Sequence, residues 1–469
     1  MIARWIMAAA LWLVPVAAPA QTPVAPLTLE ETLRSSARTA PQIIEALARV
    51  RQAEGRALSA EGAFDTVFDV DGRSRVLGFY DGTVVEGRAL RPLTNNGGYV
   101  YGNYRVSRGG FPVYEDQAFT DRLGEVKVGG LFALLRDRLV DERRTRQSLA
   151  AGDLDIARFD VTAVAIGVQR RAADAYQNWV AAGLRLRAYR ELLALSESRR
   201  GAIGRQVALG ARPQILLTEN DQNLVRRRAL VVRAEQDLAA AANALSLFLR
   251  DAEGRPVIVD EARLPADAQA LVAGLVVRGR TAAERPDLQA VLARIDQSLL
   301  RLDLAENDLK PRLDLRGEVS KDVGDQGVGG SSRRPLEAVV GFRLAVPLQN
   351  RAAKGRVAEV RAEIDGLETR SRFLREQIAV EVQGVGIAVD GAERLAEAAE
   401  QERVLADRLA AAERRRFELG SSDFFLVNQR EETANDARVR LIDAQARIGA
   451  ARAELAAVTA DRAALGLDP

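Results

Sequence analysis

Glu431 and Glu432 stand side by side, and a carboxylate pair is the smallest set that could do general acid–base work or hold a divalent cation. Neither use finds helpers. The 469 residues include no histidine and no cysteine. That removes the commonest general base, the commonest transition-metal ligands, thiolate and disulfide chemistry, and a lipid-modified amino-terminal cysteine. The pair sits in "NQREETANDARVR", whose alternating charges read as a helix face. No catalytic, cofactor-binding or metal-ligating residue is therefore assigned. Basic and acidic residues nearly balance, 67 against 65, without clustering, which argues against nucleic acid as a partner.

The more informative spacing is a repeated one. Leu209, Gly210 and Ala211, in "RQVALGARPQILLTENDQN", return 210 residues later as Leu419, Gly420 and Ser421, in "RRFELGSSDFFLVNQREET". Each copy follows a long stretch without proline, from Pro112 to Pro213 and from Pro347 to Pro469. Glycine tolerates the left-handed backbone of a helix end, and Pro213 or Ser421, Ser422 and Asp423 can begin the next helix. Each motif is thus predicted to be the tight turn of a helical hairpin. Asp423 suits a helix N-cap and Arg212 a solvated charge.

The elements that carry these turns repeat as well. Shifted by 245 residues without a gap, Pro41 falls on Pro286, Ala48 and Arg49 on Ala293 and Arg294, Gln52 on Gln297, Asp69 on Asp314 and Gly72 on Gly317. "LLRDR", ending at Arg138, matches "PLQNR", ending at Arg351, at an offset of 213, so most of the difference is one insertion between Leu77 and Gly124. Two copies of one structural unit follow. Each begins with a helix (about 29–63 and 287–310), with Thr28 or Pro286 at its start. The period then becomes two. Leu313, Leu315 and Val319 alternate with Asp314, Arg316, Glu318 and Ser320; Val340, Phe342 and Leu344 alternate with Gly341, Arg343 and Ala345; and Asp69, Asp71, Arg73 and Arg75 share one side of the strand that begins near Phe68. Beyond each pair of strands comes a long amphipathic helix. The second, about 64 residues, would be roughly 96 Å long, too long to bury its stripe except along other helices.

The first residues, "MIARWIMAAALWLVPVAAPAQTP", have the layout of a secretory signal cleaved before Gln21. Its apolar run is too short to span a bilayer, and no later stretch offers eighteen uninterrupted apolar residues. Strands of about ten residues with one apolar and one charged side, in an exported chain, suit a transmembrane β-barrel. Tyr80, Tyr99, Tyr101, Tyr104 and Tyr114 suit an interfacial girdle or an outer loop. Four strands do not close a barrel, so several chains must contribute.

At this point "LTLEETLRSSARTAPQI", "ERPDLQAV", "ENDLKPRLDLRGEVS", "VPLQNR" and "FELGSSDFFLVNQ", in that order, carry a resemblance. The sequence resembles the TolC-like outer membrane efflux proteins, or outer membrane factors, over essentially its whole length after the signal. The resemblance implies a trimeric channel-tunnel, mainly α with a twelve-stranded transmembrane β-barrel, leading from the periplasm through the bacterial outer membrane. It implies a duct rather than an enzyme, serving a tripartite efflux or type I secretion system with no cofactor. Its partners would be two further copies, a periplasmic adaptor (membrane fusion) protein, an inner-membrane pump and outer-membrane lipid. Carried over, the adaptor-docking tips are Leu209, Gly210 and Ala211, and Leu419, Gly420 and Ser421. The gate region holds Arg212, Asp423, Leu426 and Gln429; where family members often place aspartates, this chain has Leu426 and Gln429. The insertion resembles a subgroup with an enlarged first hairpin, adding an outer loop or extra strands.

The expected organisation is a signal peptide (1–20), a first repeat (21–250; strands about 64–76 and 124–134, enlarged hairpin 77–123, tip near 210), a linker or equatorial segment (251–286), and a second repeat (287–469; strands about 312–321 and 337–347, tip near 420). The competing reading is a periplasmic coiled-coil adaptor or scaffold. That class should have one helical hairpin between halves of small β-domains, not two hairpins with barrel-like strands.

Overall fold

The computed structural model describes residues 25–112, 118–277, 285–326 and 336–467, so the expected signal peptide and Tyr114 lie outside the described residues. The elements run α1 (Leu29–Thr39), α2 (Pro41–Glu61), β1 (Val67–Arg75), β2 (Gly82–Pro92), β3 (Tyr99–Gly109), β4 (Glu125–Ala133), α3 (Glu142–Ala208), α4 (Ile215–Leu245), α5 (Pro286–Asn307), β5 (Arg312–Asp322), β6 (Glu337–Ala345), α6 (Arg351–Glu418) and α7 (Phe424–Val458). Helices α3 and α6 have 67 and 68 residues, about 100 Å each at 1.5 Å per residue.

Two expectations need correction. The first helix is two: Pro41 disfavours helical backbone at Ala40, which is extended (φ −65°, ψ 123°), and α2 restarts with Pro41 in its first turn. Thr28 does cap α1, its Oγ1 accepting from the Glu31 N–H at 3.1 Å. The described strands number six rather than four, because the insertion supplies β2 and β3. An isolated hairpin of that length has no stable place in water, and here it pairs on both sides.

The chain divides into two compact units. One comprises residues 33–174, 275–394 and 450–469. It contains the sheet, an antiparallel meander in the order β1-β2-β3-β4-β5-β6. The register sorts the side chains onto two faces. Asp69 pairs with Arg88, Arg88 with Asn103, Asn103 with Lys127, Lys127 with Ser320, and Arg316 with Gly341. On that face the Arg105 guanidinium lies 2.6 Å from Glu125, Lys127 lies 3.8 Å from both Glu125 and Glu318, and Tyr101 donates to Glu318 at 2.7 Å. The other face presents Phe68, Val70, Val85, Val128, Val319 and Phe342 to the surroundings, all exposed. Tyr99 and Tyr101 belong to the polar face, so of the strand tyrosines only Tyr104 is placed for a girdle. The polarity is inverted relative to a soluble sheet, which buries its apolar side.

The strand-to-helix joint is built the same way in both halves. Asp137 (φ 67°) and Asn350 (φ 52°), 213 residues apart, adopt left-handed backbone, which Asp and Asn tolerate better than most residues. Asp137 exchanges hydrogen bonds with Asn307 at 3.2 and 3.0 Å, and Asn350 donates to the Leu309 carbonyl at 3.0 Å. The same unit packs Ile166 against Ala456 and Leu465.

The other unit comprises, of the described residues, 25–32, 175–274 and 395–449. Its core includes Tyr176, Trp179, Leu186 and Leu271, and alanines 406, 410, 434 and 437 fill one seam where the small side chain lets helices approach closely. The expected linker is packed in part: Arg187 donates to the carbonyls of Leu264, Pro265 and Ala266, and Leu271 is fully buried. Residues 278–284 of that segment are outside the described residues.

Candidate functional site

Both predicted turns have the same backbone. At the end of α3, Gly210 (φ 71°) donates to the Val207 carbonyl and Ala211 to the Gln206 carbonyl, both at 2.9 Å. At the end of α6, Gly420 (φ 77°) donates to the Phe417 carbonyl at 3.0 Å and Ser421 to the Arg416 carbonyl at 2.8 Å. These are the paired bonds of a Schellman ending, which needs positive φ at the residue both copies fill with glycine. Neither glycine has a neighbour within 4 Å of where a Cβ would stand, so backbone conformation, not space, selects glycine here. Leu209 and Leu419 are 84% and 77% exposed at the tips.

The restarts differ. Asp423 Oδ1 accepts from the Leu426 N–H at 2.6 Å, an N-cap for α7. Helix α4 starts behind Pro213 without a side-chain cap at Gln214. Arg212 is not a freely solvated charge: its guanidinium lies 5.3 Å from the centre of the Phe417 ring, so one tip leans on the other. Leu426 is half-buried and Gln429 exposed.

Behind the tips lies a charge network that sequence reading missed. Phe417 packs 6.3 Å from Phe424, and Arg199 sits 5.9 Å from Phe424. Arg199 donates to Asn428 Oδ1 at 2.9 Å and pairs closely with Glu431. Glu431, only 2% exposed, also receives Arg414 at 3.3 Å and Arg227 at 3.6 Å. Arg227 is 1% exposed and donates to the Leu192 carbonyl at 3.0 Å and to Ser196 Oγ. Burial holds the Arg227 guanidinium below its ordinary range, while Glu431 and Glu432 pull it back. Glu432 pairs closely with Arg226 and lies 3.9 Å from Arg227. Glu431 therefore faces inward, not along a solvated helix face. Its partners come from α3, α4 and α6, so only the assembled unit reveals it. A cavity of about 580 Å³, lined in part by Leu192, Arg414, Glu431, Asn435 and Arg438, adjoins the network. Among the described residues no group of three or more acidic side chains is arranged to hold a metal ion.

Repeated hairpins, a paired set of glycine turns and an inverted sheet make a combination that can be compared with known proteins. A sequence profile described as outer membrane efflux protein matches residues 277–461. The match lies within the second half of the chain. No curated protein matches the chain. Solved structures similar to this chain include the CmeC outer membrane channel of Campylobacter jejuni, with a TM-score of 0.61 at 13% identity over 92% of this chain and 85% of that one. VceC, an outer membrane protein of Vibrio cholerae, superposes with a TM-score of 0.60 at 14% identity, over 94% of this chain and 97% of that one. The open state of the MtrE outer membrane channel of Neisseria gonorrhoeae gives 0.58 at 13% identity, over 94% and 89%. The fold is that of these channels, a helical portion with an antiparallel sheet, and it extends beyond the matched domain into the first half.

Proposed function

We propose that this chain is the outer-membrane channel-tunnel of a tripartite efflux or type I secretion system, a passive duct that runs no chemistry of its own. The observation that carries the reading is the inverted sheet. Apolar side chains such as Val340 (77% exposed) face outward while Glu125, Asp314 and Asp322 are buried or paired on the opposite side, an arrangement that is stable against hydrocarbon with water enclosed. Six strands are too few to enclose such long charged side chains, since about eight are needed before an interior can hold them. Copies must therefore join at β1 and β6, the edge strands, and three copies are the number proposed. Phe373, Val380 and Ile387, exposed at seven-residue spacing on α6, supply a stripe for a neighbouring copy.

In this reading residues 1–20 direct export, the barrel lies in the outer membrane and the helices extend into the periplasm. Leu209, Gly210 and Ala211, with Leu419, Gly420 and Ser421, dock a periplasmic adaptor that links the channel to an inner-membrane pump. The exposed leucines support this, since nothing among the described residues covers them. The gate region is Arg212, Asp423, Leu426 and Gln429, where the Arg212–Phe417 contact ties the hairpins together. The adaptor opens it by binding the open arrangement better than the closed one.

Electron microscopy of the full chain purified from outer membranes in mild detergent should show threefold particles. Soluble particles that never enter a membrane would move the adaptor or scaffold reading to first place. Replacing Gly210 and Gly420 together by a bulky residue should abolish export with assembly intact; normal export would remove the docking role from the tips.

A further inference from the structure

We infer that the inserted hairpin, β2 and β3, is part of the membrane-spanning wall and bears on lipid hydrocarbon, so that each chain contributes six strands to the barrel instead of four. The inference rests on the channel reading. It begins with register: β2 pairs along its length with both β1 and β3, and β3 pairs with β4 from Tyr99–Leu131 to Arg105–Glu125. The insertion therefore separates β1 from β4 and stands between them in the sheet, not as a loop beyond it. At 11 residues each, β2 and β3 have the length of a tilted transmembrane strand.

The faces agree. On the outward side β2 offers Val85, Gly87 and Ala89 and β3 offers Val100, Gly102, Tyr104 and Val106, continuing the apolar band of Val126, Val128 and Phe132 on β4. Charge enters this side of the hairpin only near the strand ends, at Arg91 and Arg108. On the inward side Glu86, Arg88, Asn103 and Arg105 join the polar face, with Arg88 4.8 Å from the Tyr101 ring. An outer loop or lumen-filling hairpin would have no reason to keep both alternations in step with its neighbours.

The turn between β2 and β3 is fastened at the end of the sheet nearest the helices. Asn96 exchanges hydrogen bonds with the Ala133 backbone, both at 2.9 Å; Gly97 donates to the Asp137 carbonyl at 2.8 Å; and Arg143 donates to the carbonyls of Gly97 and Gly98 at 2.7 and 3.1 Å. A Cβ at Gly98 would stand 1.7 Å from the Leu131 carbonyl oxygen, so the turn fits only as glycine. With three copies the barrel has eighteen strands, three times six, and a correspondingly wider bore.

The test uses the absence of native cysteine. Single cysteines at Val85, Val106, Glu86 and Asn103, and at Val128 and Val340 as controls, are spin-labelled in the full-length protein reconstituted in phosphatidylcholine vesicles. Relaxation by oxygen marks lipid and relaxation by a water-soluble nickel chelate marks water. The expected result is oxygen-dominated relaxation at Val85 and Val106, matching Val128 and Val340, and nickel-dominated relaxation at Glu86 and Asn103. Lipid exposure at the controls with water exposure at Val85 and Val106 would overturn the inference and keep the channel. Water exposure at the controls too would overturn both. Should a labelled variant fail to assemble, strand counting in a cryo-electron microscopy map of the unmodified protein in nanodiscs decides: six strands per chain in the wall support the inference, and four overturn it.

Discussion

The sheet and the helical unit behind the tips treat charge in opposite ways. In the sheet, charged side chains share a face and apolar ones such as Val340 and Phe342 are left uncovered by protein. In the helical unit, Glu431 and Arg227 are buried deeper than most of the leucines, and each lies against opposite charge: Arg227 is 3.6 Å from Glu431, which also meets Arg199 and Arg414. The difference teaches where each region finds its complement. The sheet needs a medium, whereas the network needs only the four helix segments that meet in its own unit.

The largest effect should come from breaking the network. Glu431→Ala leaves Arg227 buried and reduces the pairing of Arg199 and Arg414, with an expected loss of about 3–5 kcal/mol, read by chemical unfolding. Glu432→Ala, whose main partner Arg226 is exposed, should cost under about 1 kcal/mol; equal losses would mean that burial is not what sets the cost. Next comes the medium. Val340→Arg should destabilise the assembled, membrane-inserted protein by about 2–4 kcal/mol, while Gly341→Glu, its neighbour on the polar face opposite Arg316, should be nearly neutral. Reversed outcomes would turn the sheet inside out.

Smaller effects separate the two tips. Gly210→Ala and Gly420→Ala should each cost about 1–2 kcal/mol, because positive φ burdens any residue with a Cβ, and the two values should agree, since the endings share one backbone. Asp423→Ala should cost about 1 kcal/mol through the lost cap to Leu426, a term with no counterpart at Gln214. Thermal unfolding of the three variants measures both differences.

Much of this architecture was legible because it is written in local periodicity. The change from period two to a helical repeat marked β1, β5 and β6 near their observed positions, the repeated plan supplied β4, and the glycines at 210 and 420 marked the hairpin turns. The break at Ala40 was also within reach, since Pro41 forbids what a continuous helix would require, yet the apolar pattern on either side hid it. The strands of the insertion were harder to read: Gly82, Gly87, Gly98, Gly102 and Gly109 dilute the alternation, and only pairing with β1 and β4 gives those glycines a place in strands.

By itself, then, the amino-acid order determined the duplicated plan, the two glycine turns, the export signal as an expectation and the lack of thiol or imidazole chemistry, because each depends on neighbours in sequence. The tertiary structure decided what depends on distant partners: that β2 and β3 enter the sheet, that the Arg212 guanidinium rests on Phe417, and that Glu431 is buried among three arginines. The burial of Glu431 arises from residues as far away in sequence as Arg199, and no local pattern encodes the company a side chain keeps across such a gap.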